Sequence, residues 1–516
     1  ETTINRTWQE QAEKRLEAWN AEFRQNGINH IAAVVIDLES NTVAAYCGNV
    51  GFSKPQPGNQ VDVVRSSRST GSILKPFLYC ARVQEGEILQ HTLIPDIPIS
   101  IQGFAPKNYN RGYDGAVPAS NALARSLNIP AVLMLRDYGI PKFRDLLVKS
   151  GLKTINKSAD YYGLSLILGG AEAPLWDVAS AYAGMAKTLN RYNDENTYNP
   201  IDWNQPAYRM ADSKTAPAQH ENSKTPLLYD AGAIWQTFEV LSEVNRPEEM
   251  DWHLMPSIRK VAWKTGTSYG YRDAWAVGVT PRFVVGVWVG NASGEGKAGL
   301  TGASTAAPVM FDLFNFLPAT GWFDTPFEAL EEVQICKQSG HLKGRFCPDA
   351  VTTLICKNGE RTQPCPYHIN ITVNDAATER VFADCCTDGD IVQCTWFVLP
   401  PSWEWFYKNR HPDYRPLPPL SASCAGKESG QAMQFIYPTG ISAIILPRQL
   451  DGSAGKLVVE VAHRDPDATL YWHWDNDFIG TTRHFHQMPI QGKSGRHHLV
   501  ITDSQGETIS RYVTIK

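Results

Sequence analysis

The sequence lacks several patterns that would assign it to a common class of protein. It contains no run of about 18 or more apolar residues, so it predicts no segment that spans a membrane. Its first residues, ETTINRTWQEQAEKRLEAW, are polar and helical in pattern, unlike a secretory signal peptide. The net charge of −5, the pI near 6.3 and the absence of a long basic run argue against a nucleic-acid-binding surface.

Two common catalytic motifs are also missing. The thirteen histidines form no H-E-x-x-H zinc motif, and no G-x-S-x-G nucleophile elbow is present. What remains is a chain of 516 residues, 43% hydrophobic and 20% charged, which is the composition of an ordinary globular protein. That length is too great for a single core, so we expect two or three domains.

The ten cysteines are distributed unevenly along the chain. Cys47 and Cys80 lie far upstream, and we expect both to be buried thiols. The other eight fall in one stretch: Cys336, Cys347, Cys356, Cys365, Cys385, Cys386, Cys394 and Cys424. Because no C-x-x-C pair is present, their even number favours disulfides in an oxidising compartment over a metal site. We expect four disulfides with open connectivity; Cys336 with Cys347 is a plausible pair, and adjacent Cys385 and Cys386 should have different partners.

Hydrophobic patterns place strands on both sides of a helical middle. Residues 6–24 predict an amphipathic helix, and HIAAVVIDLESNTVAAYCG predicts a β-hairpin. Helical patterns dominate from Ser72 to about Asn190. Strands return at KVAWKTGTSYG and DAWAVGVTPRFVVGVWVG, before a last helix at AAPVMFDLFNFL. The pattern predicts an α+β fold in which the first and last strands share one antiparallel sheet.

The chain changes character after about residue 325. A cysteine-rich stretch leads into the proline- and aromatic-rich PPSWEWFYKNRHPDYRPLPPLSAS, and alternating segments separated by turns follow. These segments predict a small all-β, Ig-like sandwich. We therefore expect a first domain over residues 1–325, a cysteine-rich connector over 326–428 and a β-sandwich domain over 429–516.

The S-x-x-K pattern occurs four times, but in one copy alone does the predicted secondary structure allow the lysine to reach the serine hydroxyl. Ser150 lies at a predicted helix end, and Ser453 lies in a turn. Ser257 precedes a strand, where residues three apart face opposite ways. Ser72 leads into a helix, where residues three apart share a face, so Lys75 can reach the Ser72 hydroxyl.

Ser72 therefore has the setting of a nucleophile. Pro76 favours a helix start at this point, because proline is tolerated in the first turn, and the helix N-terminus favours a developing negative charge. A serine nucleophile needs a base, and Lys75 is the candidate. Lys75 could act as a base only with a strongly lowered pKa, which a second nearby cation would promote. The alternative is that Ser72 merely starts a helix and that Lys75 is an exposed surface residue.

Two further motifs occur once each. S-x-N stands at residues 126–128 and K-T-G at residues 264–266, followed by Thr267 and Ser268. The order S-x-x-K, S-x-N, K-T-G is typical of β-lactamases and penicillin-binding proteins. Leu127 stands where the S-D-N motif of class A β-lactamases has aspartate, which favours the penicillin-binding proteins.

Three longer stretches carry a specific resemblance: RSSRSTGSILKPFLY, NYNRGYDGAVPASNALARSLNIPAV and WKTGTSYGYRDAWAVG. They resemble the transpeptidase domain of class A penicillin-binding proteins, and the cysteine-rich segment and terminal β-domain resemble the 1C subgroup. The resemblance covers essentially the whole chain and implies the α+β fold shared with β-lactamases, an antiparallel sheet with a helical subdomain. The family's membrane anchor and glycosyltransferase domain are missing, so we expect Glu1 to begin a part excised from a longer protein.

The resemblance implies a role for each catalytic motif. Ser72 attacks the carbonyl between the two terminal D-alanines of a peptidoglycan stem peptide, and Lys75 is the acylation base. Ser126 relays a proton to the leaving amine, while Asn128 holds Lys75 and the substrate amide. The backbone amides of Ser72 and Thr267 resemble the family's oxyanion hole.

Five residues at the third motif are implied in substrate binding: Lys264, Thr265, Gly266, Thr267 and Ser268. Lys264 supplies a positive field for the substrate carboxylate, and the threonine hydroxyls are its hydrogen-bond partners. Gly266 is expected at a strand edge where a side chain would block the substrate. The resemblance implies no metal and no cofactor.

The implied function is a peptidoglycan DD-transpeptidase of the periplasm that β-lactams acylate. It would be attached to the bacterial inner membrane through the anchor that this chain lacks. One alternative is a hydrolase, either a DD-carboxypeptidase or a β-lactamase, because the same site could use water instead of an amine as the acceptor. Another alternative is a non-catalytic β-lactam-binding sensor or scaffold. The resemblance also allows a periplasmic protein partner of the α2-macroglobulin type at the C-terminal domain.

Overall fold

A computed structural model describes most of the chain. The described residues are 1–52, 57–101, 104–210, 227–243, 260–382, 385, 391–424, 432–439, 443–446, 455–475, 477–504 and 506–516. Within these ranges, no helix combines the length and the apolar character that crossing a bilayer requires.

The helices of the described ranges lie mainly in the first 320 residues. They are α1 (Arg6–Phe23), α2 (Lys75–Gln84), α3 (Ala119–Ala124), α4 (Asn128–Tyr138), α5 (Ile140–Lys149), α6 (Ala159–Tyr162), α7 (Leu175–Glu195), α8 (Ala231–Ser242), α9 (Ala307–Phe316) and α10 (Pro401–Tyr407). The predicted N-terminal helix, the helical middle and the helix after the last strands are confirmed.

The strands of the first domain include a five-stranded antiparallel sheet in the order β2-β1-β9-β8-β7. In chain order the strands are β1 (His30–Asp37), β2 (Thr42–Cys47), β3 (Arg68–Ser69), β4 (Leu93–Asp96), β5 (Gly115–Pro118), β6 (Glu172–Ala173), β7 (Ala262–Thr267), β8 (Asp273–Val279) and β9 (Phe283–Gly290). Strand β1 pairs with β9 along its whole length, from His30 opposite Gly290 to Asp37 opposite Phe283. The predicted sheet shared by the first and last strands is confirmed.

Both faces of this sheet are covered, which explains the near-continuous apolar runs of its central strands. All residues of β1, β8 and β9 are buried. Helices α1 and α9 cover one face, and the layer that contains α7 and α8 covers the other. Strand β7 lies at the edge of the sheet, where its sequence A-W-K-T-G-T meets the helical layer.

The connector consists of two β-hairpins and helix α10. Strands β10 (Leu330–Cys336) and β11 (Ala350–Cys356) form the first hairpin, and β12 (His368–Asn374) and β13 (Ile391–Phe397) form the second. Helix α10 packs between β5 of the first domain and two strands of the C-terminal domain. Its buried carboxylate, Glu404, forms an ion pair of 2.5 Å with Arg464 of that domain.

The C-terminal region is all-β, as predicted. Its strands are β14 (Met433–Tyr437), β15 (Ala443–Ile444), β16 (Leu457–His463), β17 (Thr469–Trp474), β18 (Asp477–Arg483), β19 (Gln487–Ile490), β20 (Gly495–Asp503) and β21 (Thr508–Ile515). They form two sheets, β14-β16-β19 and β15-β21-β20-β17-β18, around one apolar core that contains Trp472. This is the arrangement of a small sandwich.

The expectation of four disulfides in the connector is wrong. Among the described cysteines one bond is present, between Cys385 and Cys424. The free cysteines of this stretch are Cys336, Cys347, Cys356, Cys365 and Cys394. Cys386 lies outside the described residues, and the suggested Cys336–Cys347 bond is not formed. The upstream residues Cys47 and Cys80 are buried thiols, as predicted.

Candidate active site

Ser72 lies in a turn between β3 and α2 and is half-buried. Helix α2 begins at Lys75, with Pro76 in its first turn as predicted. The turn is fixed at its start by the indole nitrogen of Trp275, which donates to the carbonyl oxygen of Ser69 at 2.8 Å. It is fixed at its end by the Tyr182 hydroxyl, which donates to the Ile73 carbonyl at 2.8 Å.

Lys75 is buried, and its Nζ atom points at the S-x-N motif. It donates to the backbone oxygen of Ser126 at 2.7 Å, the side-chain oxygen of Asn128 at 2.8 Å and the backbone oxygen of Leu127 at 3.1 Å. Burial, and then the Lys264 cation, lower the pKa of Lys75 well below its usual range. The three oxygen acceptors oppose this shift because they favour the ammonium form. The amine is nevertheless buried, and no carboxylate among the described residues bonds to it, so the net direction is downward.

The sequence predicted that the Lys75 side chain contacts the Ser72 hydroxyl. Among the described residues, no hydrogen bond joins these two groups. Their link is through the backbone, where the Lys75 amide donates to the Ser72 carbonyl at 3.3 Å. The side chain instead reaches the Ser126 hydroxyl oxygen at 3.5 Å. Catalytic hydrogen bonds are often long or unformed without substrate, so this geometry is that of a resting site.

Lys264 approaches the same serine from strand β7. Its Nζ atom donates to the Ser126 hydroxyl oxygen at 2.8 Å and to the Thr265 carbonyl at 2.7 Å. Burial lowers the pKa of Lys264 to about 7, so the pKa values of both lysine amines at this site lie below their ordinary range. The second cation that the sequence analysis required beside Lys75 is therefore Lys264, and Ser126 lies between the two amines.

Ser126 occupies a backbone conformation that few residues adopt. It follows α3 with a φ of 55°, in the left-handed region that favours glycine. Because its hydroxyl oxygen also accepts from Lys264, the strained Ser126 is a candidate functional residue. This strain could not be read from the S-x-N pattern.

Asn108 is a site residue that the sequence analysis missed. Its side-chain oxygen accepts from the backbone amides of Asn128 at 3.0 Å and Ile129 at 3.3 Å, at the start of α4. Its amide nitrogen donates to the buried carboxylate of Asp96 at 2.7 Å. Asn108 thereby fixes Asn128, which in turn holds Lys75. Asparagine is a common cap for helix amides, but no spacing rule connects it to a helix twenty residues later.

Gly266 has a packing role in addition to the one expected from the sequence. A Cβ atom on Gly266 would lie 2.7 Å from the Thr70 carbonyl oxygen, closer than packing permits. Similarly, a Cβ atom on Gly71 would lie 2.6 Å from the Thr267 carbonyl oxygen. Glycine is required here because strand β7 packs directly against the turn that carries Ser72. This close approach brings the K-T-G motif to the nucleophile.

The hydroxyl residues after Lys264 have different settings. The Gly302 amide donates to Thr267 Oγ1 at 3.0 Å, which leaves the Thr267 hydroxyl hydrogen available as a donor. Thr265 is half-buried on the same strand. Ser268, expected to bind substrate, is buried, and its hydroxyl oxygen accepts from the Asp273 amide at 2.9 Å in the turn between β7 and β8. The structure thus gives Ser268 a role in closing this turn.

The fold and the converging motifs define the class of this protein, and comparison with family models agrees. Residues 31–313 match the model described as the penicillin binding protein transpeptidase domain, which is more than half of the chain. Residues 422–515 match the model described as the Penicillin-Binding Protein C-terminus Family. The chain therefore belongs to the penicillin-binding protein transpeptidase family.

Individual relatives give the degree of similarity. The chain is 33% identical to penicillin-binding protein 1C of Escherichia coli K12, over 61% of this chain and 38% of the relative. It is 28% identical to penicillin-binding protein 1B of Vibrio cholerae, over 54% of this chain and 34% of the relative. The chain thus spans well under half the length of these curated relatives.

One solved structure with a similar fold is that of the PonA1 protein from Mycobacterium tuberculosis in complex with penicillin V. It is 20% identical, with a TM-score of 0.49, over 63% of this chain and 87% of that chain.

Proposed function

We propose that this chain is the transpeptidase part of an enzyme that cross-links bacterial peptidoglycan. The observation that carries the proposal is the position of Ser126 between two buried lysine amines, Lys264 and Lys75, the latter at the start of the helix that follows Ser72. The site thus couples a serine to an amine base. At family level the chain is a serine acyltransferase of the transpeptidase type.

Acylation begins with Ser72. Its hydroxyl oxygen attacks the carbonyl carbon between the two terminal D-alanines of a stem peptide, and its proton passes to neutral Lys75. The negative charge on the carbonyl oxygen is stabilised by the backbone amides of Ser72 and Thr267, a role supported by the close packing of Gly71 on Thr267. The product of this step is a tetrahedral adduct with an ammonium group on Lys75.

Collapse of the adduct breaks the peptide bond. The leaving nitrogen takes the hydroxyl proton of Ser126, and Ser126 recovers a proton from Lys75 across the 3.5 Å that separates them. D-Alanine leaves, Ser72 carries the remaining peptide as an ester, and Lys75 is again neutral. Lys264 stabilises the transient charge on Ser126 because it already donates to that oxygen.

The acceptor completes the reaction. An amine of a neighbouring stem peptide attacks the ester carbonyl, loses a proton to Lys75 and forms the cross-linking amide, while Ser72 recovers its proton. If water attacks instead, the product is a shortened peptide and the enzyme acts as a carboxypeptidase. A β-lactam forms the Ser72 ester by the same attack and collapse, with the ring C–N bond broken and its nitrogen protonated, but that nitrogen stays tethered in the ester and does not leave.

Substrate recognition falls to strand β7 and Asn128. Lys264 and the hydroxyls of Thr265 and Thr267 bind the terminal carboxylate of the donor, and Asn128 binds its amide. Gly266 allows the strand to lie beside Ser72. Ser268 supports this group by holding the end of the strand.

The remaining proposals concern the protein as a whole. We assign the transpeptidase domain to residues 1–325, the connector to 326–428 and the C-terminal sandwich to 429–516. We place the protein in the periplasm, attached to the inner membrane through an anchor outside this chain. The C-terminal sandwich is proposed to bind a periplasmic protein, with an α2-macroglobulin-like protein as the candidate.

Product analysis tests the proposed reaction. The chain is incubated with a donor pentapeptide that ends in D-Ala-D-Ala, with and without an amino acceptor, and the products are separated by mass spectrometry. We expect D-alanine release and acceptor-dependent amide formation. Hydrolysis unaffected by the acceptor would instead identify a carboxypeptidase. Penicillin labelling of Ser72 without release of D-alanine from any donor would identify a sensor or scaffold.

A further inference from the structure

Three cysteines and one histidine of the connector converge on a point outside the active site. Cys336 ends strand β10, Cys347 lies in the β10–β11 loop, and Cys365 precedes His368, the first residue of β12. All four residues are buried, and their Sγ and imidazole nitrogen atoms lie within 4.8 Å of one another. From this cluster we propose that Cys336, Cys347, Cys365 and His368 bind one structural zinc ion.

The nitrogen–sulfur distances fit the tetrahedral coordination of one ion. His368 Nδ1 lies 3.4 Å from Cys336 Sγ, 3.6 Å from Cys347 Sγ and 3.3 Å from Cys365 Sγ. Zinc bonds of about 2.3 Å to sulfur and 2.0–2.1 Å to nitrogen, set at tetrahedral angles, separate sulfur and nitrogen by about 3.6 Å. The three observed distances therefore require shifts of a few tenths of an ångström at most.

The orientation of His368 suits a metal ligand. Its Nε2 atom is 2.7 Å from the side-chain oxygen of Gln338, which can accept but not donate. Nε2 therefore carries the proton, and the lone pair of Nδ1 faces the three sulfurs. A histidine ligand is commonly held in this way through its other ring nitrogen, because the hydrogen bond fixes both tautomer and ring orientation.

The sulfur atoms are also prepared for negative charge. The Ser339 amide donates to Cys336 Sγ at 3.4 Å, and the Gly344 amide donates to Cys347 Sγ at 3.2 Å. Such donors stabilise thiolates, the form in which cysteine binds zinc after its proton is released.

Disulfide formation cannot pair all three cysteines of this cluster with one another. Three cysteines are an odd number, so one bond would leave the third sulfur buried beside His368. A set of three thiolates and one imidazole at tetrahedral spacing favours zinc among the common divalent metals. Because all four positions belong to protein side chains, the bound ion has no open position for substrate, and its role is structural.

The zinc site would join the connector to the transpeptidase domain. The Leu93 amide donates to the Ser339 carbonyl at 2.9 Å, and the Thr92 hydroxyl donates to the Gly340 carbonyl at 3.5 Å. The Thr92 carbonyl in turn accepts from the Ala119 amide at the start of α3, the helix that precedes Ser126. The ion therefore fixes the loop on which this part of the domain rests.

Metal analysis of the purified chain tests the proposal directly. Without added metal, inductively coupled plasma mass spectrometry should find one zinc ion per chain. After chelation, Co²⁺ should restore binding with the thiolate-to-cobalt charge-transfer band and the intense visible bands of a tetrahedral site. Stoichiometric iron instead of zinc, or an octahedral cobalt spectrum, would overturn the assignment.

Thiol mapping excludes the alternative without any mutation. The unreduced, metal-stripped chain is unfolded and alkylated, and its peptides are examined by mass spectrometry. Cys336, Cys347 and Cys365 should all be alkylated. A disulfide between any two of them in a chain that holds no zinc would overturn the proposal.

Variants locate the ion. Cys336→Ser and His368→Ala should lose zinc, whereas Cys394→Ser, in the same connector but outside the cluster, should keep it. Ser72→Ala should also keep it, which separates this proposal from the proposed function. Gln338→Ala should weaken zinc binding about 10–100-fold in a chelator competition, and Gln338→Glu, which keeps an acceptor, should weaken it less. Equal zinc content in all these variants would place the metal elsewhere.

Discussion

Lys264 Nζ donates a hydrogen bond of 2.8 Å to the hydroxyl oxygen of Ser126, and Lys75 Nζ lies 3.5 Å from that same oxygen. One hydroxyl thus joins two lysines that come from different layers of the first domain. Lys75 belongs to the helical layer, and Lys264 belongs to the edge strand of the sheet. The predictions below test what this arrangement does.

Removing the Ser126 hydroxyl should slow acylation without unfolding the protein. Ser126→Ala removes the proton relay, and general acid–base groups contribute about 10²–10⁴-fold, so the acylation rate should fall within that range. Ser126→Gly removes the same hydroxyl and also relieves the left-handed backbone. We expect both variants to be equally slow and the glycine variant to melt at the higher temperature. A fluorescent penicillin measured by stopped flow gives the rates, and a near-normal rate in either variant would exclude the relay.

Replacing the base should abolish labelling while keeping its charge. Lys75→Arg retains a buried cation, but guanidinium does not deprotonate in proteins and cannot accept the Ser72 proton. Its labelling by fluorescent penicillin should be lost nearly as completely as in Ser72→Ala, with the wild-type adduct mapped to Ser72 by mass spectrometry.

The control for this variant is Lys187→Arg. Lys187 is a third buried lysine, and burial lowers its pKa to about 8, but its amine donates to Asn41 and Asn204 rather than to the S-x-N motif. It should label normally. Normal labelling of folded Lys75→Arg, or an adduct on another residue, would contradict the mechanism.

The lowered pKa of Lys264 predicts how stability depends on pH. Between about pH 7 and the ordinary lysine value of 10.5, the folded chain holds this amine neutral while the unfolded chain protonates it. The unfolded state then binds more protons, so this group makes the free energy of unfolding rise with pH across that window. The Lys264→Met variant removes this pH-dependent contribution to the free energy of unfolding, so it should be more stable than the wild type at pH 7. Its acylation should be impaired.

The measurement compares wild type and Lys264→Met by calorimetry from pH 7 to 10. Only the difference between the two curves is used, because tyrosines and cysteines also titrate in this range. The difference in melting temperature should be largest at pH 7 and shrink towards pH 10. A constant difference would show that Lys264 is charged throughout.

Asn108 should act on catalysis through Asn128. Asn108→Ala removes the acceptor for two helix amides, a loss of about 0.5–2 kcal/mol in stability. Because Asn128 holds Lys75, acylation should slow as well. Asn110→Ala is the matched control, since Asn110 is an exposed residue of the same loop that bonds Gly112 alone. If Asn108→Ala acylates normally despite a lower melting temperature, Asn108 stabilises the fold without positioning the site.

Truncation tests the domain assignment. A chain ending at residue 428 should remain folded by circular dichroism and be acylated within a few-fold of the full chain. It should melt at a lower temperature, because the truncation leaves buried Glu404 without its Arg464 partner. A folded truncated chain that loses acylation altogether would show that the sandwich contributes to the site.

Much of the fold could be predicted from the sequence, because helices and strands are indicated by local, periodic patterns of apolar residues. Strand patterns on both sides of a helical middle predicted that residues 30–37 and 283–290 share one antiparallel sheet, and the pairing of β1 with β9 confirms it. Ser72, Lys75 and Lys264 could be found because short motifs carry them. Asn108 and the strained Ser126 could not, since their roles depend on contacts that the fold creates.

The cysteines show a different kind of error. The segment Cys365-Pro366-Tyr367-His368 has the spacing of a C-x-x-C pair, but a histidine stands in place of the second cysteine. It therefore does not match the C-x-x-C pattern. The even number of cysteines then favoured disulfides. In the structure, Cys336 and Cys347 both lie near His368 and are not bonded to each other. A zinc search that admits histidine in either position would have marked this segment.

The pairing of β1 with β9 has a consequence for how the protein folds. Strand β1 lies between β2, its neighbour in sequence, and β9, which follows the whole helical layer in the chain. The sheet therefore stays incomplete until the chain has been synthesised as far as Gly290, and until then the buried strand β1 has one unpaired edge. Such long-range pairing slows folding and exposes intermediates to aggregation. Ser72 and Lys264 meet only after that closure, so a partly folded chain that reacts with penicillin is not expected.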